Sequence, residues 1–328
     1  MRFALDAARE DFASSIDAML SAADVPGIHR ARVSGDSQPL RGMWKSLAQL
    51  GVTGLMVDAE FGGVGADALD MVVAVERLGR WAVPGPVVES IVAAPVLLQS
   101  LPDDQCNDRL TALAAGDAVT SIALEPDMPR ALDADVADFV LLVRSGAVHV
   151  ATVDNVSLSF DPSRALSTLK PGQQIGSGVD HSAAVESARL WGALGCAAQT
   201  IGAGTALLDA SADHAKSRRQ FGRAIGSYQA VKHRLADVLI GLELARPLLY
   251  NAALSVTANS PTAARDVSAA KVACGAAAYR SSRAALQIHG AIGYTSEFDL
   301  SMWITKVRAL QSAWGTAAHH RRRVLEAL

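Results

Sequence analysis

At 328 residues, half of them hydrophobic and 19% charged, the chain can bury a substantial core, which excludes a disordered or fibrous protein. A net charge of −3 with mixed signs gives no reason to expect nucleic acid as a partner, and no apolar run is long enough to span a bilayer. Cys106, Cys196 and Cys274 are odd in number, far apart and in apolar surroundings, so they read as reduced core thiols rather than a disulfide frame or a metal site. The opening MRFALDAAREDF carries acids early and lacks a signal-type apolar core, so a soluble cytoplasmic protein is expected.

Residues 1–117 read as an N-terminal helical domain. Its segments are amphipathic Phe3–Leu20, a short helix Leu40–Leu50 around Trp44, then Ala68–Leu78 and Val87–Gln99. The cluster Gly62-Gly63-Val64-Gly65 suggests a phosphate cradle at first sight, but no Lys-Ser/Thr follows it and no strand clearly precedes it. A turn that lets backbone pass close to a neighbour or ligand is the better reading. Near Ala118 the period changes: Val119–Leu124, Phe139–Val143, Val148–Val153 and Val156–Phe160 are β-rich runs separated by Gly, Asp and Pro. They predict a short middle β domain over 118–181.

Residues 182–328 contain four long helical segments, predicting a C-terminal four-helix bundle and a mostly α protein with a small β domain. The first runs from Ala184 to about Ser217. The second, from Ser227 to about Ala258, places Val231, Leu235, Val238, Leu239, Leu242 and Leu249 on one buried stripe. The third spans Thr262–His289 and the fourth Leu300–Leu328, with Gly290–Gly293 as the break between them. Phe221–Ser227 is a glycine-punctuated turn with Ser227 as candidate N-cap, so Arg218, Arg219 and Phe221 cluster at a hairpin tip. A di-iron bundle core needs Glu-x-x-His on two helices, and the chain contains none, so no metal is expected.

The run RRQFGRAIGSYQAVKHRLAD, from Arg218 onward, closely resembles a signature of the flavin-dependent acyl-CoA dehydrogenases, and Gln287-Ile288-His289-Gly290-Ala291-Ile292-Gly293-Tyr294 resembles a second. The likeness is weak in the first third, where Val57-Asp58-Ala59-Glu60 precedes the glycine loop in place of the family's V-P-E, and clear from about Ala184. It implies FAD as cofactor and an acyl-CoA substrate. Arg218 matches the position that reaches the pyrophosphate bound by a neighbouring subunit, a match for a guanidinium fork. Phe221, one helical turn on, would line the same surface. Gln287, Gly290 and Gly293 match positions approaching the same cofactor, and Ala291 replaces a usual glycine. The bland alternative is that the arginines are solvated helix-end charges and the glycines simple caps.

Dehydrogenation between the α and β carbons of an acyl thioester needs a base for the α-proton and a flavin to take the β-hydride. The family's usual base is a glutamate before Gly-Thr on the last helix; here Trp314 holds that position, ahead of Gly315 and Thr316, and Thr316 is kept as a cofactor-side residue. A minority of the family carries the base on the first bundle helix, which falls on Gly192. The nearest acid there, Glu186, lies about 240° around the helix and roughly 9 Å along it, so it faces elsewhere. The family's T-E-P-x-x-G-S-D loop survives only as Glu125-Pro126.

Residues that would serve a neighbour's flavin are thus kept, while those serving the chain's own site are missing. The pattern resembles the short, non-catalytic subunits of actinobacterial heteromeric acyl-CoA dehydrogenases that act on steroid-derived thioesters, implying a homologous partner that carries the catalytic glutamate. The alternatives are a self-sufficient homo-oligomeric enzyme with a non-standard base, and a scaffold subunit with no flavin at its interface. His289 reads as a hydrogen-bonded helix-end residue, His319–Arg323 as a solvated helix terminus, Trp314 as packing, and His233 with Asp237 as a surface pair.

Overall fold

The computed structural model describes residues 5–101, 103–176, 180–295 and 298–328. Phe3 and Ala4 of the expected first helix lie outside them, as do residues 177–179 just before the expected end of the β region. The architecture is mostly α: N-terminal helices, a small mixed sheet, then long C-terminal helices.

The N-terminal helices are α1 (Ala7–Ala22), α2 (Val25–Val33), α3 (Gln38–Gln49), α4 (Ala68–Arg80), α5 (Ala94–Gln99) and α6 (Asp104–Ala114). Each expected helix forms. Helix α4 starts in a reciprocal capping box between Asp67 and Asp70. Helices α2 and α6 were not anticipated. Pro26 and Gly27 punctuate α2 in sequence, yet proline in a first turn loses no hydrogen bond. The expected Val87–Gln99 helix is interrupted: one π-helical turn, Glu89–Ala93, leads into α5.

The sheet has five strands in the order β1-β3-β4-β5-β2, with β1 parallel to β3 and the other pairs antiparallel. They are β1 (Thr120–Leu124), β2 (Ala131–Leu132), β3 (Phe139–Arg144), β4 (Ala147–Leu158) and β5 (Ala165–Ile175). The two runs predicted at Val148–Val153 and Val156–Phe160 are one strand, β4, with a register irregularity between Val153 and Asn155. Strand β5 was missed because Pro171-Gly172 reads as a breaker, although Pro171 sits opposite Ala151 inside the ladder.

Three long helices follow: α7 (Ser182–Ser217), α8 (Gln229–Thr257) and α9 (Ala263–His289). Helix α4 crosses α7 at a pair of glycines. A Cβ on Gly79 would overlap the Gln199 carbonyl oxygen, and one on Gly202 the Glu76 carbonyl oxygen. On α8 the buried stripe is Val238, Leu242, Ala245 and Leu249; Leu239, expected among them, is exposed. Ser227 is not the N-cap of α8. Tyr228 is, and the Ser227 hydroxyl donates to the Ala224 carbonyl at 2.7 Å.

The fourth helix, expected to run unbroken over Leu300–Leu328, is two: α10 (Leu300–Leu310) and α11 (Ala317–Glu326). Trp314 at φ 57° and Gly315 at φ 100° turn the chain between them, and Thr316 caps α11 by accepting from the His319 amide at 3.2 Å. A left-handed tryptophan is costly and needs outside support. His320 supplies it, donating Nε2–H to the Trp314 carbonyl at 2.8 Å while Nδ1 faces Ser268 Oγ at 3.2 Å. His320 is therefore a buried structural residue, not part of a solvated basic terminus. His233 and Asp237 are both exposed, and no ion pair joins them among the described residues.

Two predictions follow from packing and charge. Gly202→Ala should lower stability by about 2 kcal/mol despite alanine's better helix propensity, because backbone cannot move aside. Gly275→Ala, which meets nothing within 4 Å on α9, should raise it by roughly 0.5–1 kcal/mol; thermal unfolding of the two variants tests both signs. His320 is pushed down from 6.5 to about 4 by burial, against the Trp314 carbonyl and aided by Lys271, His319 and Arg323. The unfolded chain takes up this proton below pH 6.5 and the folded chain only near pH 4, so stability is withdrawn as pH falls through that window. Urea unfolding of the wild type should lose about 2 kcal/mol more between pH 7.5 and 5.0 than His320→Gln does.

Candidate functional site

Arg218 ends α7 in extended conformation, and its carbonyl accepts from the Ile225 amide at 2.8 Å. Between those residues a two-stranded ribbon pairs Arg219 with Ala224 and Gln220 with Arg223. Phe221 at φ 52° and Gly222 at φ 80° make its two-residue turn, the backbone that matches strand twist. The ribbon is braced twice: the Tyr228 hydroxyl donates to the Gln220 carbonyl at 3.2 Å, and the Arg223 guanidinium lies 4.0 Å from the Tyr228 ring centroid. Phe221 is thus not one helical turn from Arg218 but at the summit of a rigid hairpin, 92% exposed. Arg218 and Arg219 are exposed, and no hydrogen bond or ion pair among the described residues occupies their guanidinium groups.

The tip meets the end of α9. Phe221 and Gln287, 66 positions apart in sequence, line one groove of about 470 Å³ with Tyr228, Val231 and Arg234. The ends of α7 and α9 are locked by the His214 and His289 rings, stacked 4.2 Å apart. His289 is buried, with Nδ1 2.9 Å from the Ala285 carbonyl, and burial lowers the pKa of His214, with His289 and Arg218 adding to the effect. Gly290 follows at φ 67° with open space where a Cβ would stand. Gly293 is a packing position, where a Cβ would come 3.0 Å from the His289 Cβ.

Thr316 is elsewhere. It lines a separate cavity of about 180 Å³ with Asp127, Arg189 and His319, and neither Phe221 nor Gln287 borders it. The site residues read from the sequence therefore divide into an outward group at the hairpin and an inward group around Trp314.

The inward group shows how both base positions are filled. Gly192 lies under the Trp314 ring, where a Cβ would fall inside the indole. Trp314 is 4% exposed and donates its indole N–H to Glu89 Oε1 at 3.0 Å. Glu89 is the acid that sequence reasoning missed. Its signal was a lone carboxyl in the apolar run VVESIVAAPVLL, and the π-helical turn sets it facing Trp314. Burial raises its pKa, opposed by Arg164, its own backbone, Trp314 and Lys306. Lys306, also buried, donates to the Val83 carbonyl at 2.8 Å and is lowered to about 8 by burial.

The chamber beside Trp314 measures about 520 Å³. The loop that resembles the family's flavin-touching segment forms one wall, with its polar groups already engaged inside the chain. Arg144 grips the Glu125 carboxylate at 2.6 and 2.7 Å and holds its pKa down; Arg189 pairs with Asp127 at 3.0 Å. The loop's carboxylates are thus engaged within the chain, and Trp314 stands where the family resemblance places a base. The hairpin does suit an anionic cofactor group: exposed cations and an exposed aromatic stand on a braced support.

Two domains of one family match the sequence: the acyl-CoA dehydrogenase N-terminal domain over residues 6–117 and the C-terminal domain over residues 183–328. The acyl-CoA dehydrogenase IpdE2 of Mycobacterium tuberculosis is 32% identical over 285 residues, 86% of this chain and 85% of that protein. The ChsE4–ChsE5 complex from Mycobacterium tuberculosis contains a similar fold, with a TM-score of 0.86 at 22% identity over 99% of this chain and 98% of that one. So does the Tcur3481–Tcur3483 steroid ACAD, with a TM-score of 0.82 at 20% identity over 97% and 96%. No helix among the described residues is long and apolar enough to cross a membrane. With both terminal domains and the full fold in agreement, the chain belongs to the acyl-CoA dehydrogenase family.

Proposed function

We propose that this chain is the helper subunit of a cytoplasmic, heteromeric FAD-dependent acyl-CoA dehydrogenase, built of domains at 1–117, 118–181 and 182–328. The observation that carries the reading is the contact between Trp314 and Gly192. One ring fills the space of both family base positions, so neither can hold a carboxylate while it is there. A glutamate of a homologous partner would then remove the α-proton, and bound FAD would supply the acceptor for the β-hydride. This chain's part is to place Arg218 against that cofactor's pyrophosphate and to close the surface around it with Phe221, Gln287 and the Gly290 turn.

A face for such a partner supports the reading. Opposite its buried stripe, α8 carries exposed Leu239, Ile240, Leu244 and Leu248, with Leu244 69% exposed. A helix apolar on two sides suits a place between two bodies, and the stripe lies on the helix that follows the hairpin. The assembly of ChsE4 with ChsE5 and the steroid substrate class of Tcur3481–Tcur3483 are consistent with a heteromer acting on a bulky acyl-CoA.

A second reading rests on Glu89, a carboxyl inside the chain's own chamber at hydrogen-bond distance from the usual base position. In that case the chain is self-sufficient and Glu89 is the non-standard base. Two variants of the co-produced complex separate the readings. Arg218→Gln should weaken FAD retention about 10- to 100-fold, the range of one charge-assisted contact, read from flavin absorbance after dialysis. Glu89→Gln should leave turnover of acyl-CoA with an artificial acceptor intact. Turnover by the isolated chain that vanishes in Glu89→Gln would establish the second reading instead, and unchanged flavin content in Arg218→Gln would leave only a scaffold role.

A further inference from the structure

The chamber beside Trp314 holds a buried guanidinium that favours the charged forms of Glu89, Asp133 and Asp161 yet makes no ion pair with any of them among the described residues. Arg164 sits between β4 and β5 in a loop fixed by Asp161. Asp161 accepts from the Ser163 amide and hydroxyl at 3.0 and 2.8 Å, and the Arg164 amide donates to the Asp161 carbonyl at 3.0 Å. The Arg164 side chain is 6% exposed and lines the chamber. Its Nε is buried without a hydrogen-bond partner, and no ion pair occupies the guanidinium among the described residues. Arg32, by contrast, is taken up by Asp133 and Asp135 at 3.2 and 2.9 Å. A buried guanidinium N–H without an acceptor is costly until one completes it.

The rest of the wall describes that acceptor. Leu132, Leu166, Ala309 and Ala313 line the chamber, and Leu158 and Phe160 stand exposed at its rim. Arg130 and Arg308 border it, while Asp127 is paired with Arg189. A planar guanidinium matches the two oxygens of a carboxylate, and the leucine, alanine and phenylalanine walls suit a hydrocarbon body. Glu89 also borders the chamber, with its Oε1 already accepting from the Trp314 indole at 3.0 Å. A volume of about 520 Å³ lies within the range of small-molecule sites.

We propose that this chamber binds an apolar monocarboxylate, its carboxylate on Arg164 and its hydrocarbon body between Phe160, Leu166 and the Ala309–Ala313 wall. The site is separate from the hairpin surface and needs no flavin, so it stands or falls apart from the role assigned to Arg218.

Titration calorimetry of the purified full chain with decanoate, and with cholate as a bulkier acid, tests it. One equivalent of decanoate should bind, and Arg164→Gln should weaken binding at least tenfold. Arg322→Gln, which removes an exposed charge on α11, should leave it unchanged. If Arg164→Gln does not fold, Ala309→Phe fills the chamber from α10 and should abolish binding. No binding of either acid overturns the proposal. Equal affinity for acetate or inorganic phosphate overturns the apolar part of it, and full affinity in both Arg164→Gln and Ala309→Phe places the ligand elsewhere.

Discussion

The indole of Trp314 sets the terms for everything around it. It lies over Gly192 on α7, donates to Glu89 from the π-helical turn, and hangs from His320 through its own carbonyl. Three elements distant in sequence thereby meet at one side chain. A left-handed bulky residue is tolerated only where its surroundings over-determine it, and here they do. The same placement breaks the last helix, creates the chamber wall and removes room for an acid on α7. The tryptophan at position 314 and the interrupted helix are one structural feature.

Around that point several buried charges are paired within the fold. Glu76 on α4 pairs with Arg246 on α8, tying the N-terminal helices to the bundle beside the glycine crossing. Lys271 and Lys306 both end on backbone carbonyls, of Leu310 and Val83, and so satisfy oxygens that chain breaks leave free. Against that background an idle guanidinium stands out as a site rather than as ballast. Buried polar groups are normally paired; Arg32 and Arg77 also leave Nε unpartnered but ion-pair through their other nitrogens, whereas no ion pair holds Arg164 among the described residues.

Much of this was legible in the residues. The turn between α7 and α8 with Arg218, Arg219 and Phe221 at its tip was, because glycines punctuate it after a long proline-free helix, while the β-ribbon that carries Phe221 was not. The sheet was legible in part: β-branched runs gave β1, β3 and β4, while Pro171-Gly172 hid β5 by imitating a turn. Helix periodicity could not show that Leu239 faces outward, since a helix with two apolar faces offers two equally good stripes. Glu89 and Arg164 were invisible for a different reason. A π-helical turn has no compositional signature, and the worth of either side chain lies in what stands across a chamber from it. Local pattern reports the period of an element; it does not report which distant element it will face.

The division between hairpin and chamber also bears on how the helper subunit proposed above would stand alone. In an enzyme, the groups that touch a ligand are partly unsatisfied until it arrives. Here the loop that resembles the flavin contact has its carboxylates tied to Arg144 and Arg189, and the base position is packed with carbon. Both arrangements satisfy groups within the chain rather than leaving them to a ligand. The hairpin cations remain unsatisfied, on a ribbon braced by Tyr228 and by the His214–His289 stack, so little order is left to gain on docking. Stability has been gathered inward while the unmet hydrogen-bonding capacity is concentrated on a surface, and that is the arrangement expected of a chain whose ligand contacts are completed by another molecule.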